Sequence, residues 1–201
     1  MKEIIKNSLY DSLKVKEAFV NNNISEIILI AEKIVVAFTN DHKLMLCGNG
    51  GSAADAQHIA AEFIGRFELE RPPLPAIALT TDTSVITCIG NDYSFNDIFS
   101  KQVKAIGLED DVLMAISTSG NSPNIICAVE AAKDMGIFVV GLAGNDGGKL
   151  KDLSDSCLVV NSNSTARIQE SHILAGHIIR RLVDYLLFQK HIPKDQEGTV
   201  Q

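Results

Sequence analysis

The sequence predicts an α/β fold: a three-layer, doubly wound, five-stranded parallel sheet with extra helices at its N-terminus. Five short apolar runs end in small polar residues, and helix-like stretches separate them in the order strand, helix, strand. The chain has 201 residues, 46% hydrophobic and 21% charged, which supplies the apolar content of one well-filled core. Apolar runs without alternation suit strands buried on both faces, as parallel strands between two helical layers are.

Residues 4–38 are rich in Leu, Ile, Ala, Glu and Lys and contain neither Gly nor Pro; Asn21-Asn22-Asn23-Ile24-Ser25 interrupts them with cap-forming side chains, so two helices are expected. The strand-like runs follow at 44–47, 76–79, 112–116, 137–142 and 157–160. Between them, 52–66, 95–106 and 123–135 read as helices, and each strand–helix–strand unit should cross over right-handedly. A last long helix is expected over 165–188, and residues 191–201, with Pro193 and Gly198, read as a mobile tail. The organisation is thus helices over 1–40, an α/β domain over 41–190 and the tail.

The formal net charge of −7 provides no overall attraction to nucleic acid or to anionic membranes. The apolar stretches 24–38 and 173–188 are broken by Glu26, Glu32, Lys33, Arg180, Arg181 and Asp184, so neither offers the ~20 apolar residues of a membrane span. Glu3, Lys6 and Asp11 near the start do not fit a secretory signal, which makes the cytoplasm the expected location. Cys47, Cys88, Cys127 and Cys157 form no close pairs of the kind that zinc knuckles and redox motifs use, so buried or inert thiols are expected.

Two loops are shaped for an anion. The first strand ends in Gly48-Asn49-Gly50-Gly51-Ser52 and the third in Ser117-Thr118-Ser119-Gly120-Asn121-Ser122-Pro123, each leading into a helix. Unpaired backbone N–H groups at a helix start attract phosphate, and Pro123 suits a first helical position. In the order 2-1-3-4-5, strands one and three flank the point where the winding reverses, so the two loops would share one ligand. Gly48-x-Gly50-x-x-Ala53 also fits a loose dinucleotide fingerprint, but the acidic residue that should close the second strand is missing: the first after Leu79 is Asp82. No P-loop lysine follows the glycines.

His58 and Glu62, four apart, share a helix face and suit either a divalent metal and proton transfer or an ordinary surface pair. Gln169 and His177 lie about 80° apart around a helix and about 12 Å apart along it, so one ion reaches both only with difficulty. Glu170, seven before His177, lines up better, and His172 points elsewhere. Gly176 costs roughly 1 kcal/mol in a helix and suggests close approach by a neighbouring backbone, for instance from another subunit. Arg66, on the helix of His58, suits either contact with a charged substrate or a plain surface position, whereas His42 and His191 receive no chemical task.

Taken together, C-G-N-G-G-S (47–52), H-x-x-x-E (58–62), R-P-x-x-P-A-I-A-L (71–79), G-N-D-Y-x-F-N-D-I-F (90–99), S-T-S-G-N-S (117–122) and T-A-R-I-Q-E-x-H (165–172) resemble the phosphoheptose isomerases of the sugar isomerase (SIS) domain superfamily. The resemblance implies a flavodoxin-like strand order and conversion of sedoheptulose 7-phosphate to D-glycero-D-manno-heptose 7-phosphate, the first step of bacterial ADP- or GDP-heptose synthesis for lipopolysaccharide or capsule. It implies a homotetramer with active sites at subunit interfaces, residues 1–40 taking part in assembly, and one zinc per subunit. By motif, Asn49, Gly50, Gly51, Ser52, Asn91, Asp92, Ser117, Thr118, Ser119, Ser122 and Gln169 would bind substrate, with Glu62 and Arg66. His58, Glu62, Gln169 and His177 would hold zinc, Glu62 and His177 also serving as acid and base. Some relatives carry an acidic residue where Ala166 stands, and Thr165-Ala166-Arg167 also occurs in a non-catalytic SIS-domain protein that binds the replication initiator DnaA, which is the alternative reading.

Overall fold

The structure, a computed structural model, describes residues 1–65 and 70–190. Helices α1 (Lys2–Asn22) and α2 (Ile24–Thr39) are divided at Asn23, whose side-chain amide donates to the carbonyl of Phe19 at 2.7 Å and ends the first helix. Ile27, Ile30, Ala31, Ile34 and Ala37 recur every three or four residues along α2 and are all buried. On α1 only Ser12 and Phe19 are buried, and Ile4, Ile5, Leu9 and Leu13 are between 56% and 70% exposed.

Strands β1 (Leu44–Gly48), β2 (Ala76–Ala78), β3 (Val112–Ser117), β4 (Phe138–Gly144) and β5 (Ser156–Val160) form one sheet in the order β2-β1-β3-β4-β5, every pair parallel. Side chains alternate across the sheet, so Leu44, Leu46, Val112, Met114 and Ile116 join the core under α1, α2, α3 (Gly51–Ile64) and α8 (Thr165–Asp184). Met45, Cys47, Leu113 and Ala115 join the opposite core, with α5 (Ser100–Ile106), α6 (Pro123–Asp134) and the elements around them. The register pairs Gly48 with Ile116 and Ser117 with Ala143, which brings the two predicted anion loops to one edge of the sheet.

Two helices lie where the sequence suggests none. In α4 (Thr83–Asp92) β-branched residues and a glycine conceal the helical pattern, and the Asp82 carboxylate caps it by accepting from Val85 N at 3.0 Å. The other, α7 (Gly148–Leu153), has six residues. The single helix expected over 95–106 is instead a 3₁₀ turn, Phe95–Asp97, followed by α5. No helix among the described residues is long and apolar enough to cross a membrane. All four cysteines are free, but Cys88 is exposed rather than packed. Its thiol sits beside Asp92, which pushes its pKa up and disfavours the thiolate, while burial pushes Cys47 and Cys157 up to about 12.

His172 is fully buried on α8 and bonds the carbonyl of Ala143 at 3.1 Å, so Nε2 carries the proton and donates. Burial outweighs that bond and lowers its pKa from 6.5 to about 4. The unfolded chain therefore binds the extra proton between these values. Stability from this group is complete above about pH 6.5, falls as pH drops toward 4, and amounts to about 3 kcal/mol across the window. Urea unfolding at pH 7 and pH 4.5 should show that loss, and His172→Gln should flatten it; an equal slope in the variant would assign the acid sensitivity elsewhere.

Candidate active site

The site begins where β1 and β3 end. Gly50 takes φ +55°, a left-handed conformation that lets the chain turn from β1 into α3, and Ala53 N donates to its carbonyl at 3.1 Å. Ser52 is buried at the start of α3. In the facing loop the hydroxyl of Ser117 donates to that of Ser122 at 3.0 Å and lies 3.5 Å from that of Ser119. Pro123 opens α6 at its first turn, as its fixed φ favours.

A residue without a recognisable sequence signal joins these loops. Asn124, 2% exposed, exchanges two hydrogen bonds with Asn49, its amide donating at 2.8 Å and accepting at 2.9 Å. Asn49 is thereby held with part of its amide left over for a ligand. A lone Asn at a helix start reads only as turn chemistry, so its partner 75 residues away was not legible in the sequence.

Helix α3 packs against α8, and their facing surfaces carry the titratable groups. His58 Nε2 lies 3.1 Å from Glu62 Oε1 and 3.0 Å from His177 Nε2, and His177 Nε2 lies 3.4 Å from the same carboxylate oxygen. The His58 and His177 side chains are 52% and 38% exposed and that of Glu62 is 14% exposed, so the cluster opens to solvent on a partly buried carboxylate. His58 and Glu62 belong to a three-residue cluster built from two helices.

This donor set fits a metal ion. The ligand atoms converge within 4.8 Å of one another. Ligands about 2.0–2.1 Å from a tetrahedral zinc stand about 3.3 Å apart, close to the separations seen. Two imidazole nitrogens and a carboxylate oxygen are also the ligand types of catalytic zinc sites.

Other candidates lie elsewhere. Gln169 rests against Gly51, where an added Cβ would collide with its amide nitrogen. It stands at the loop end of the helix pair, because the eight residues to His177 span about 12 Å of axis. Glu170 accepts from Ser12 at 2.7 Å and from Arg167 at 2.5 Å, joining α1 to α8 away from the cluster. Asn91 and Asp92, at the exposed end of α4, bond each other at 2.8 Å. Thr118 lies partly buried between the serines. Arg66 and the tail 191–201 lie outside the described residues.

The close approach at Gly176 differs from the expectation. Its neighbour within the chain is the Ile59 side chain of α3, 2.6 Å from where a Cβ would stand, and not a backbone. Glycine here lets α8 approach α3 closely enough for His177 to meet His58 and Glu62.

The SIS domain family model matches residues 10–144. A phosphoheptose isomerase of Nitratidesulfovibrio vulgaris is 50% identical over 94% of this chain and 90% of its own, and one of Aneurinibacillus thermoaerophilus is 51% identical over 94% and 96%. Among solved structures, a phosphoheptose isomerase from Neisseria gonorrhoeae superposes with TM-score 0.86 at 45% identity, covering 91% of this chain and 98% of the other. One from Francisella tularensis gives TM-score 0.88 at 42% identity over 90% and 97%. With the strand order and motifs already described, these likenesses establish that the chain belongs to the phosphoheptose isomerase family of SIS-domain enzymes.

Proposed function

We propose that the protein converts sedoheptulose 7-phosphate to D-glycero-D-manno-heptose 7-phosphate through an enediol, with Glu62 and His177 as acid and base. The observation that carries this reading is the convergence of His58, Glu62 and His177 on a helix pair that starts at a phosphate-shaped loop. From Gly51 to His58 is about 10 Å along α3. That spacing suits an extended seven-carbon sugar, its phosphate at the loops and its carbonyl at the cluster.

Ser119, Ser122 and the loop N–H groups hold the phosphate, and Asn49 orients the chain of hydroxyls. One of Glu62 and His177 removes the proton from C1 of the ketose while O2 gains one. The pair then returns a proton to C2 and takes one from O1, which completes the exchange without any external oxidant. General acid–base assistance contributes roughly 10² to 10⁴-fold per group. Zinc held by His58, Glu62 and His177 would polarise the carbonyl and stabilise the enediolate charge. Gln169 and Ser52, at the loop end, serve substrate, as do Gly50, Gly51, Ser117 and Thr118, and Gln169 would join the zinc ligands as the resemblance implies; Asn91, Asp92 and Arg66 complete the sugar site.

The exposed apolar residues of α1 support assembly through residues 1–40 into a homotetramer that covers them and brings sites to subunit interfaces. The product would supply ADP- or GDP-heptose for lipopolysaccharide or capsule in the cytoplasm. The DnaA-binding alternative finds no support in the relatives described. Arg167, the charged member of its motif, donates to the Ser8 carbonyl at 2.6 Å and to Glu170, which gives it an internal use.

The test is an NMR time course with sedoheptulose 7-phosphate in deuterated buffer, with zinc and after chelation. Aldose carrying deuterium at C2, formed at a rate that falls on chelation, is the expected result. Binding without product or exchange would defeat the isomerase reading, and an unchanged rate after verified metal removal would defeat the role given to zinc.

A further inference from the structure

Below the cluster lies a group of buried charges that acid–base chemistry does not use. Arg71 Nη2 and Arg180 Nε both donate to the main-chain carbonyl of Glu62, at 2.9 and 3.0 Å. Asp184 joins the two guanidinium groups, accepting from Arg71 Nε at 3.1 Å and pairing through its other oxygen with Arg180 Nη1. The side chains of Arg71, Arg180 and Asp184 are 1%, 0% and 6% exposed. Arg180 also lies over the ring of Phe63, 5.9 Å from its centroid.

Burying charge costs several kcal/mol per ion, and a buried pair often contributes no more stability than apolar residues of the same volume. Two cations share one carboxylate here, and burial together with the Arg180 charge pushes the pKa of Arg71 down. Stability alone is a poor reason for such a group. Its geometry suggests another: the Glu62 carbonyl lies in the last turn of α3, where carbonyls lack partners within the helix. Arg180 and Asp184 sit three and seven residues beyond His177 on α8. The arginines therefore join the residue that carries the carboxylate to the helix that carries the histidine.

We propose, on the basis of the isomerase reading above, that Arg71, Arg180 and Asp184 are positioning residues that grip the Glu62 backbone and hold its carboxylate in register with His177 and His58. Arg180 uses two different nitrogens of one rigid plane, Nε for the carbonyl and Nη1 for Asp184. A lysine keeps the charge but cannot reproduce that fork.

The test compares wild type with Arg180→Lys, Arg71→Lys and Asp184→Asn, each verified as folded by circular dichroism. Two readouts are taken: steady-state isomerisation, and titration with Co²⁺ followed by its d–d absorption. The expected result is a kcat lower by about 10²-fold in Arg180→Lys with KM within threefold, and Co²⁺ affinity lower by about tenfold, in the range for outer-shell partners of metal sites. Wild-type kcat and Co²⁺ affinity in the folded variants, with only a lower melting temperature, would make the group purely structural and overturn the proposal. Should Arg180→Lys not fold, Arg71→Lys decides by the same two readouts. Wild-type protein that binds Co²⁺ without isomerising would defeat the isomerase reading alone, the clamp then being judged on metal affinity. If wild type shows neither, the proposal falls with the site.

Discussion

Glu62→Gln is expected to lower kcat by about 10³-fold or more while KM stays within about threefold. The amide keeps the shape of the side chain and removes the only carboxylate of the cluster among the described residues, whose Oε1 faces both His58 and His177. An amide cannot take a proton from carbon, and it is a poorer ligand for any ion that His58 and His177 hold. Substrate affinity should survive because, in the function proposed above, the phosphate is held by the serine loop after β3 and not by Glu62. Deuterium incorporation at C2 should fall in parallel with turnover, which separates loss of proton transfer from slow product release. A variant retaining kcat within tenfold of wild type would remove Glu62 from the acid–base pair.

Gly176→Ala is expected to be nearly as damaging although it touches no substrate. An alanine Cβ would stand 2.6 and 2.8 Å from the Cδ1 and Cγ1 atoms of Ile59, and Ile59 is completely buried, so it has no room to turn aside. The better helix propensity of alanine, about 1 kcal/mol, opposes an overpacking cost of about 1–3 kcal/mol. The net cost of about 0–2 kcal/mol should lower the melting temperature by at most about 8 °C for a chain of this size. Activity is more sensitive, because α8 must move outward and the cluster separations are only 3.0 to 3.4 Å. A fall in kcat of about 10²-fold follows from a displacement approaching 1 Å. Ile59→Ala combined with Gly176→Ala should recover most of it by reopening the space. If Gly176→Ala kept full activity, or the double variant recovered none, close packing of α3 on α8 would not be what assembles the site.

Much of the architecture was readable from local chemistry. Uninterrupted apolar runs identified all five strands, and the glycines and serines that follow β1 and β3 marked both loops, because a chain entering a helix from a parallel strand needs those residues. Helix α4 carries no clear helical pattern because Val85, Ile86 and Thr87 are β-branched and its capping residue, Asp82, stands only a few residues after the second strand. Cys88 is exposed rather than buried for a related reason: its apolar sequence neighbours say nothing of which helix face meets the core.

The site divides along the same line. Spacing of four along one helix put His58 and Glu62 together from the sequence alone, and the motif resemblance supplied His177. Only the packed structure set His177 against them, held Asn49 with Asn124, laid Gln169 against Gly51 and gathered Arg71, Arg180 and Asp184 under Glu62. Sequence determined which elements form, which faces are apolar and which residues share a helix face, since these follow from short-range sterics and hydrophobic periodicity. Tertiary structure decided which groups meet across α3 and α8, since that depends on helix register and on how closely Gly176 lets the two backbones approach.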